Sequence, residues 1–166
     1  MIYKKMTGKN KNNGFTLIEI LVVVAIIAVL ASIVLVGLGP TQRLGRDARR
    51  LSDLRQTQNG LELYLNKCGY YPGVAQAGVT CGAFQQISAW SDVSGALTQS
   101  NLGVYQVPND PIAAKTYSYG TNAGGSEYTI GAQLEDLNNP SLQQSIDGTS
   151  DGVPCSRSTG FYCIKF

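Results

Sequence analysis

A long apolar run near the amino terminus constrains this chain more than any other feature. From Phe15 to Leu38 the sequence contains one charged residue, Glu19, and only two other polar side chains, Thr16 and Ser32. With a rise of about 1.5 Å per residue, a helix of this length spans a hydrocarbon core of about 30 Å. The run is too long for an ordinary secretory signal and has no small-residue cleavage site at its far end. It therefore predicts a membrane-spanning helix.

The residues before this run are polar and basic. Four of the 13 Lys and Arg residues lie in the first fourteen positions, as Lys4, Lys5, Lys9 and Lys11. Without them, nine basic residues face 11 acidic ones, so the remainder has a net charge of −2. Such a chain has no overall attraction for nucleic acid, and any such contact would need a local patch.

The junction between the two segments carries a specific motif. In Gly14-Phe15-Thr16-Leu17-Ile18-Glu19, a Gly precedes the first apolar residue, Phe15, and Glu19 is the fifth residue when Phe15 is counted as the first. Placed between a basic leader and an apolar run, this stretch resembles the precursors of type IV pilins and type II secretion pseudopilins. The resemblance implies that a prepilin peptidase cuts between Gly14 and Phe15, on the cytoplasmic side, and methylates the new amino group of Phe15.

Glu19 needs a partner, because an unpaired carboxylate in a membrane-spanning helix costs a few kcal/mol. We expect the partner to be the free amino group of Phe15 on a neighbouring copy, which exists only after cleavage. That pair would set the axial register of the subunits in a helical filament. The alternative is a Glu that extends to the membrane surface in a plain signal anchor.

The charges that flank the run do not orient it by themselves. The leader lysines favour a cytoplasmic amino terminus. Arg43, Arg46, Arg49 and Arg50 compete from the other side, offset by Asp47. The cysteines and the resemblance indicate that the leader is inside and the bulk outside. We therefore expect a single-pass precursor in the cytoplasmic (inner) membrane and then an extracytoplasmic filament at the cell surface.

Helix-breaking residues follow the apolar run. Gly costs up to about 1 kcal/mol and Pro about 3 kcal/mol in a helix interior. At Gly37, Gly39 and Pro40 we therefore expect a kink or local melting, or a helix end followed by a new helix.

The segment after Pro40 is amphipathic. Side chains for a buried face recur at steps of three or four, as Leu44, Ala48, Leu51, Leu54, Gln58, Leu61 and Leu65. We expect this face to lie on a globular head. Arg46, Arg50 and Arg55 would then either contact acidic groups of neighbouring copies or be solvated. Gly69 and Pro72 predict the end of the helix.

The remaining residues predict a small β-containing head with a short helix at Ser91–Gln99 and a Pro-x-Asp-Pro turn from Pro108. Strands are expected at 116–119, 127–135 and 160–165, the first two joined by a Gly-rich turn. The expected fold is α+β and pilin-like: a long N-terminal α-helix, membrane-spanning in its first half, packed on a small antiparallel β-sheet. The expected domains are a leader at 1–14, a transmembrane and filament-core helix at 15–39, an amphipathic half at 40–67 and the head at 68–166.

Four cysteines lie in the head, as Cys68, Cys81, Cys155 and Cys163. An even number in a segment that leaves the cytoplasm indicates two disulfides. Of the three connectivities we favour Cys68–Cys81 with Cys155–Cys163, because each pair closes a short loop. Buried free thiols and thiolate-only zinc are the alternatives.

The sequence offers little for catalysis or cofactor binding. It has no His, which removes the commonest general base and metal ligand. A carboxylate pair such as Asp110 with Glu127 is conceivable, but nothing in the sequence places the two together. No cofactor is expected, although Asp147 and Asp151, each followed by Gly, could supply part of a calcium site and could equally form turns.

We therefore expect a structural protein and not an enzyme: a type IV pilus or pseudopilus subunit. Its expected partners are copies of itself, the prepilin peptidase, the membrane before assembly, and an inner-membrane assembly platform with its motor. The alternative is a minor or tip pilin, or a DNA-uptake pilin, that binds through exposed Tyr and Arg.

Overall fold

A computed structural model describes residues 14–74, 81, 87 and 89–166. The expected leader, apart from Gly14, lies outside the described residues, as does most of the expected loop between Val74 and Ala89. Judged by its internal contacts, the chain divides after Pro40. The part that follows, Thr41–Phe166, is called the head unit below.

The longest element is helix α1, Leu17–Cys68, with Pro40 in its interior. The local melting or helix end expected at Gly37, Gly39 and Pro40 is therefore wrong. Proline removes one amide donor from the helix, and the hydrogen bonds of the adjoining turns remain to hold the backbone. As expected, α1 ends before Gly69, which adopts a left-handed conformation with φ of 79° and donates its amide to Leu65.

Within the head unit, α1 buries a stripe with a spacing of three or four residues. Its members are Asp47, Arg50, Leu54, Thr57, Leu61, Tyr64 and Cys68. The predicted face is buried at Leu54 and Leu61 and packs against the core at Leu51 and Leu65, whereas Leu44 and Ala48 are exposed. The expectation failed at this end of the helix because it treated charged residues as solvent-facing, and here Asp47 and Arg50 are buried as partners of each other.

Helix α2, Trp90–Gln99, packs on α1 and confirms the predicted short helix. It buries Val93, Ala96 and Leu97 completely. Gly60 on α1 permits the close approach, since a Cβ there would meet Leu97 at 3.1 Å. The indole nitrogen of Trp90 donates to the carbonyl of Pro108 at 2.9 Å, which ties α2 to the predicted Pro-x-Asp-Pro segment.

The expected three-stranded antiparallel sheet is present. Its strands are β1 (Ser118–Thr121), β2 (Tyr128–Gln133) and β5 (Phe161–Lys165), in the order β1-β2-β5. Residues 122–127 join β1 to β2, and Gly131 in the central strand lies opposite both Ser118 and Cys163. The architecture is thus α+β, as predicted.

A second hairpin was not predicted. Strands β3 (Gly148–Ser150) and β4 (Val153–Cys155) pair with each other through a two-residue turn. Both turn residues have positive φ, 48° at Asp151 and 81° at Gly152, the combination that a type I′ hairpin turn requires. Two short 3₁₀ helices, Pro140–Gln144 and Arg157–Thr159, complete the head unit.

Candidate functional site

The predicted processing segment is the start of helix α1. The backbone N–H and the hydroxyl of Thr16 each donate to Oε2 of Glu19 at 2.8 Å, and the Glu19 amide donates to the Thr16 hydroxyl at 3.3 Å. This is a capping box, in which two side chains satisfy amides at the helix start. Glu19 therefore has a partner within its own chain, and its pairing with Phe15 of another copy stays a prediction.

The apolar helix that follows is exposed, because no other described part of the chain packs over residues 14–34. Every residue from Gly14 to Val34 is exposed, including Phe15 at 83 %. Leu17–Val34 is long and apolar enough to cross a membrane, and none of it is buried in the chain. A helix that is apolar on every side needs an apolar environment, whether lipid or other apolar helices.

The head unit contains a cluster of five charged residues, of which Asp47, Arg50 and Asp110 are buried. Arg50, with no exposed side-chain surface, donates to Asp110 from Nε at 2.7 Å and from Nη2 at 3.0 Å. Its Nη1 lies 2.7 Å from Asp47 and 2.8 Å from Glu135. Arg46 binds the same Glu135 through two hydrogen bonds. The predicted role of Arg46 and Arg50, contact with neighbouring copies or with solvent, is therefore wrong: both bind carboxylates of their own chain.

These contacts shift the ionisation of the cluster in a consistent direction. The guanidinium of Arg46 lowers the pKa of Glu135 to about 2. Burial acts to raise the pKa of Asp110, but the hydrogen bonds from Arg50 and from the Ile112 amide outweigh it, so that this pKa is lowered. The hydrogen bonds that Arg50 donates to the Asp110 carboxylate raise the pKa of Arg50. These shifts favour the charged forms of Glu135, Asp110 and Arg50, and the ion pairs join α1 to the segments after α2 and after β2.

Both favoured cysteine pairs are disulfides in the structure. Cys68–Cys81 anchors the end of α1, and Cys155–Cys163 links β4 to β5. Their Cα atoms are 5.6 and 5.7 Å apart, within the range that a disulfide spans. The second bridge holds the β3–β4 hairpin against the sheet.

The two candidate calcium ligands already bind protein groups. Asp147 accepts the Arg157 amide at 3.1 Å and lies 3.5 Å from its guanidinium. Asp151 accepts the Thr129 hydroxyl at 2.7 Å and lies 3.8 Å from Lys165. In the described part of the chain no group of three or more acidic, Cys or His side chains could hold a metal. This arrangement does not fit calcium, which needs several free oxygens, and an unchanged melting temperature on chelation would rule the ion out.

The side chains weighed for other functions lie apart or are buried. Asp110 binds Arg50, whereas Glu127 binds Lys165 at 2.8 Å, so the structure gives each carboxylate of the conceivable pair its own cation. Of the described tyrosines, only Tyr105 is largely exposed. Among the described residues, the exposed Tyr surface that a DNA-uptake pilin would use is thus reduced to Tyr105, whereas Arg43, Arg49, Arg55 and Arg157 are exposed.

Comparison with known proteins bears on the amino-terminal segment. The prokaryotic N-terminal methylation motif matches residues 9–35, which include Gly14, Phe15 and Glu19. The chain carries a prepilin-type amino terminus. This confirms the resemblance to pilins and pseudopilins that the sequence predicted.

Two curated relatives of this prepilin-like chain are type II secretion system core proteins G. The Escherichia coli (strain K12) protein is 37 % identical over 71 residues, which are 43 % of this chain and 49 % of that protein. The Aeromonas hydrophila protein is 32 % identical over 68 residues, 41 % of this chain and 48 % of that protein. The chain thus spans about half the length of the curated relatives it matches. No solved structure matches it significantly.

Proposed function

We propose that this chain is a structural subunit of a type IV pilus or secretion pseudopilus filament. Prepilin peptidase processes it between Gly14 and Phe15 and methylates the amino group of Phe15. The observation that carries the proposal is the methylation motif at the start of a helix whose residues from Leu17 to Val34 are apolar and uncovered. Before assembly this helix lies in the membrane, and afterwards it packs with the same helix of other copies in the filament core.

The two relatives favour the secretion pseudopilus over the pilus, because both are named as type II secretion components. The partners are then further copies of this chain, the peptidase, and an inner-membrane assembly platform. The energy for assembly comes from a separate ATP-driven motor. The filament is extracytoplasmic, and this chain serves as a building block without a catalytic role.

Glu19 has two successive roles in this proposal. In the single chain its carboxylate caps helix α1 through Thr16. After cleavage, the amine of Phe15 on a neighbouring copy offers a cation that bonds more strongly than the neutral Thr16 donors. Transfer of the carboxylate from its own cap to a neighbour's amine sets the subunit register.

Assembly of Glu19 variants tests the proposal. Full-length chain is co-expressed with prepilin peptidase and the assembly apparatus, and filaments are sheared from cells and quantified. Glu19→Ala and Glu19→Gln should both be cleaved normally and form few filaments, because neither offers a negative charge to the amine. Glu127→Ala, which removes a carboxylate from the head surface, is the matched control and should assemble as the unaltered chain does. Normal filaments from Glu19→Gln would contradict the register role.

A further inference from the structure

The head unit has a groove that is lined by uncharged residues, some of them exposed. It has a volume of about 370 Å³ and lies between α1, α2 and the segment 103–108. Its walls include Gln56, Asn59, Leu63 and Tyr105, and none of its lining residues is charged. Tyr105 is 95 % exposed and Leu63 47 % exposed. Exposed Tyr and Leu beside an uncharged groove are typical of a surface that binds another protein.

The same head unit presents one apolar side chain that suits such a groove. Leu137 is 59 % exposed and sits at the tip of a tight turn, where the Asn138 amide donates to the Asp136 carboxylate at 3.0 Å. The turn is fixed to α1 at its base, since the Asp136 amide donates to Asp47 at 2.9 Å. Leu137 is therefore a rigidly held apolar knob with little covering of its own.

Knob and groove lie at different levels of α1. The knob is anchored at Asp47, whereas the helical wall of the groove runs from Gln56 to Leu63. At a rise of about 1.5 Å per residue, the two levels differ by roughly 14 to 24 Å along the helix. A knob cannot reach the groove of its own head across that distance, but it can reach the groove of a second copy displaced along the helix axis.

Charge at the borders of the two surfaces is complementary. Arg55 is exposed and lies one helical turn before Asn59, so that it flanks the groove. Asp136 precedes the knob and is partly exposed. Arg55 beside the groove and Asp136 beside the knob carry opposite charges, so they can pair if the two surfaces meet. Exposed pairs of this kind add little affinity but select orientation.

We propose that Leu137 of one copy docks between Leu63 and Tyr105 of the next copy in the filament, with Asp136 facing Arg55. The contact joins two different surfaces, and such a head-to-tail contact repeats along a helical filament without closing. The inference rests on the proposed function, because it takes filament assembly as what brings two heads together. It adds a specific head-to-head contact to the packing of the apolar helices.

Disulfide crosslinking in assembled filaments tests the contact. Tyr105→Cys and Leu137→Cys are introduced together into the full chain, whose four native cysteines are already paired. Mild oxidation of filaments should give a ladder of dimers, trimers and longer products, because each head carries both halves of the contact. The matched control, Tyr105→Cys with Thr149→Cys, replaces the knob by an exposed β3 residue and should give no ladder.

The outcomes separate this inference from the proposed function. Normal filaments of the first double-cysteine variant without a ladder, or with dimers only, would overturn the contact and leave the filament role intact. If the unaltered chain forms no filament with its peptidase and assembly apparatus, the proposed function itself fails, and the contact fails with it.

A charge exchange gives a second test that does not depend on cysteine. Arg55→Asp and Asp136→Lys should each lower the crosslink yield about two- to fivefold, the range expected for one exposed ion pair. The two changes together should give a higher yield than Asp136→Lys alone, although the loss of the bond from the Asn138 amide to the Asp136 carboxylate keeps the yield below the starting value. Equal yields in all four chains would contradict the predicted facing of Asp136 and Arg55.

Discussion

At the scale of single residues, Arg50 determines how the head unit is organised. Its guanidinium has no exposed surface and binds Asp47, Asp110 and Glu135, which come from three separate segments. A buried ion pair adds little net stability over a well-packed apolar set, but loss of one partner leaves a charge unpaired in a poorly solvated place. The cluster should therefore be sensitive to single changes.

Replacement of Arg50 should be far more costly than replacement of its neighbour. Arg50→Met leaves the Asp47 and Asp110 carboxylates without their cation, so we expect unfolding free energy to fall by about 3–5 kcal/mol. Arg49→Met is the matched control: Arg49 is 62 % exposed and lies 3.7 Å from Asp53, and the expected loss is about 0–1 kcal/mol. Denaturant unfolding of the full chain in detergent, followed by fluorescence of the sole Trp, measures both. Equal losses in the two variants would contradict the assigned role.

The same cluster predicts how stability depends on pH. The pKa values of Glu135, about 2, and of Asp110 are lowered in the folded chain, so folding favours their charged forms. Their contribution is complete above the unfolded pKa values near 4 and is lost as pH falls through the folded values. Unfolding midpoints should thus be nearly constant from about pH 7 to 5 and fall from about pH 5 toward 2. Glu135→Gln should reduce the steepness of that fall, and an unchanged slope would contradict the assignment.

At the scale of elements, the β3–β4 hairpin lies directly on the sheet. A Cβ on Gly120 of β1 would overlap the backbone carbonyl of Asp151, in the turn of that hairpin. The Asp151 side chain also accepts the Thr129 hydroxyl from β2. With Cys155–Cys163 at the other end, the hairpin is fixed by backbone contact, a hydrogen bond and a disulfide.

Two Gly-to-Ala changes should have opposite effects. Gly120→Ala forces the hairpin away from β1, and we expect a loss of about 1–3 kcal/mol. Gly45→Ala lies in α1 with open space around its Cβ, and helix propensity should make it stabilising by up to about 1 kcal/mol. Thermal unfolding of both variants tests this difference in sign. A neutral Gly120→Ala would show that the hairpin is not held closely against the sheet.

Elements with strong local signals were predictable, and contacts between distant charges were not. The length of the apolar run predicted the first part of α1, and Gly69 predicted where the helix ends. Alternating apolar and polar residues on either side of a Gly-rich turn predicted β1 and β2. A turn at Asp151-Gly152, a common I′ pair, was predicted as an alternative to a calcium loop, but the strands β3 and β4 on either side of it were not predicted. Arg50 was missed because its partners Asp110 and Glu135 are 60 and 85 residues away. Within α1, the only sign that Arg50 is buried was its position on the same helical face as Asp47, Leu54 and Leu61.

At the scale of the whole molecule, the head unit and the apolar helix differ in how far they depend on contacts outside the chain. In the head unit, the buried Arg50 pairs with carboxylates of the same unit, and both disulfides link residues of that unit. No residue of the helix from Leu17 to Val34 is buried within the chain. Such a helix needs an apolar environment. In the proposed filament other copies supply that environment, and the amine that Glu19 would bind exists only after the amino terminus is processed.

The mass of the amino terminus after exposure to prepilin peptidase tests that claim most directly. Full-length chain is co-expressed with the peptidase, extracted in detergent and analysed by intact mass and N-terminal fragmentation, with Gly14→Val as the uncleaved control. We predict loss of residues 1–14 and a new terminus at Phe15 that carries one added methyl group. A chain that keeps residues 1–14, with an unmodified Gly14–Phe15 bond, would contradict the account.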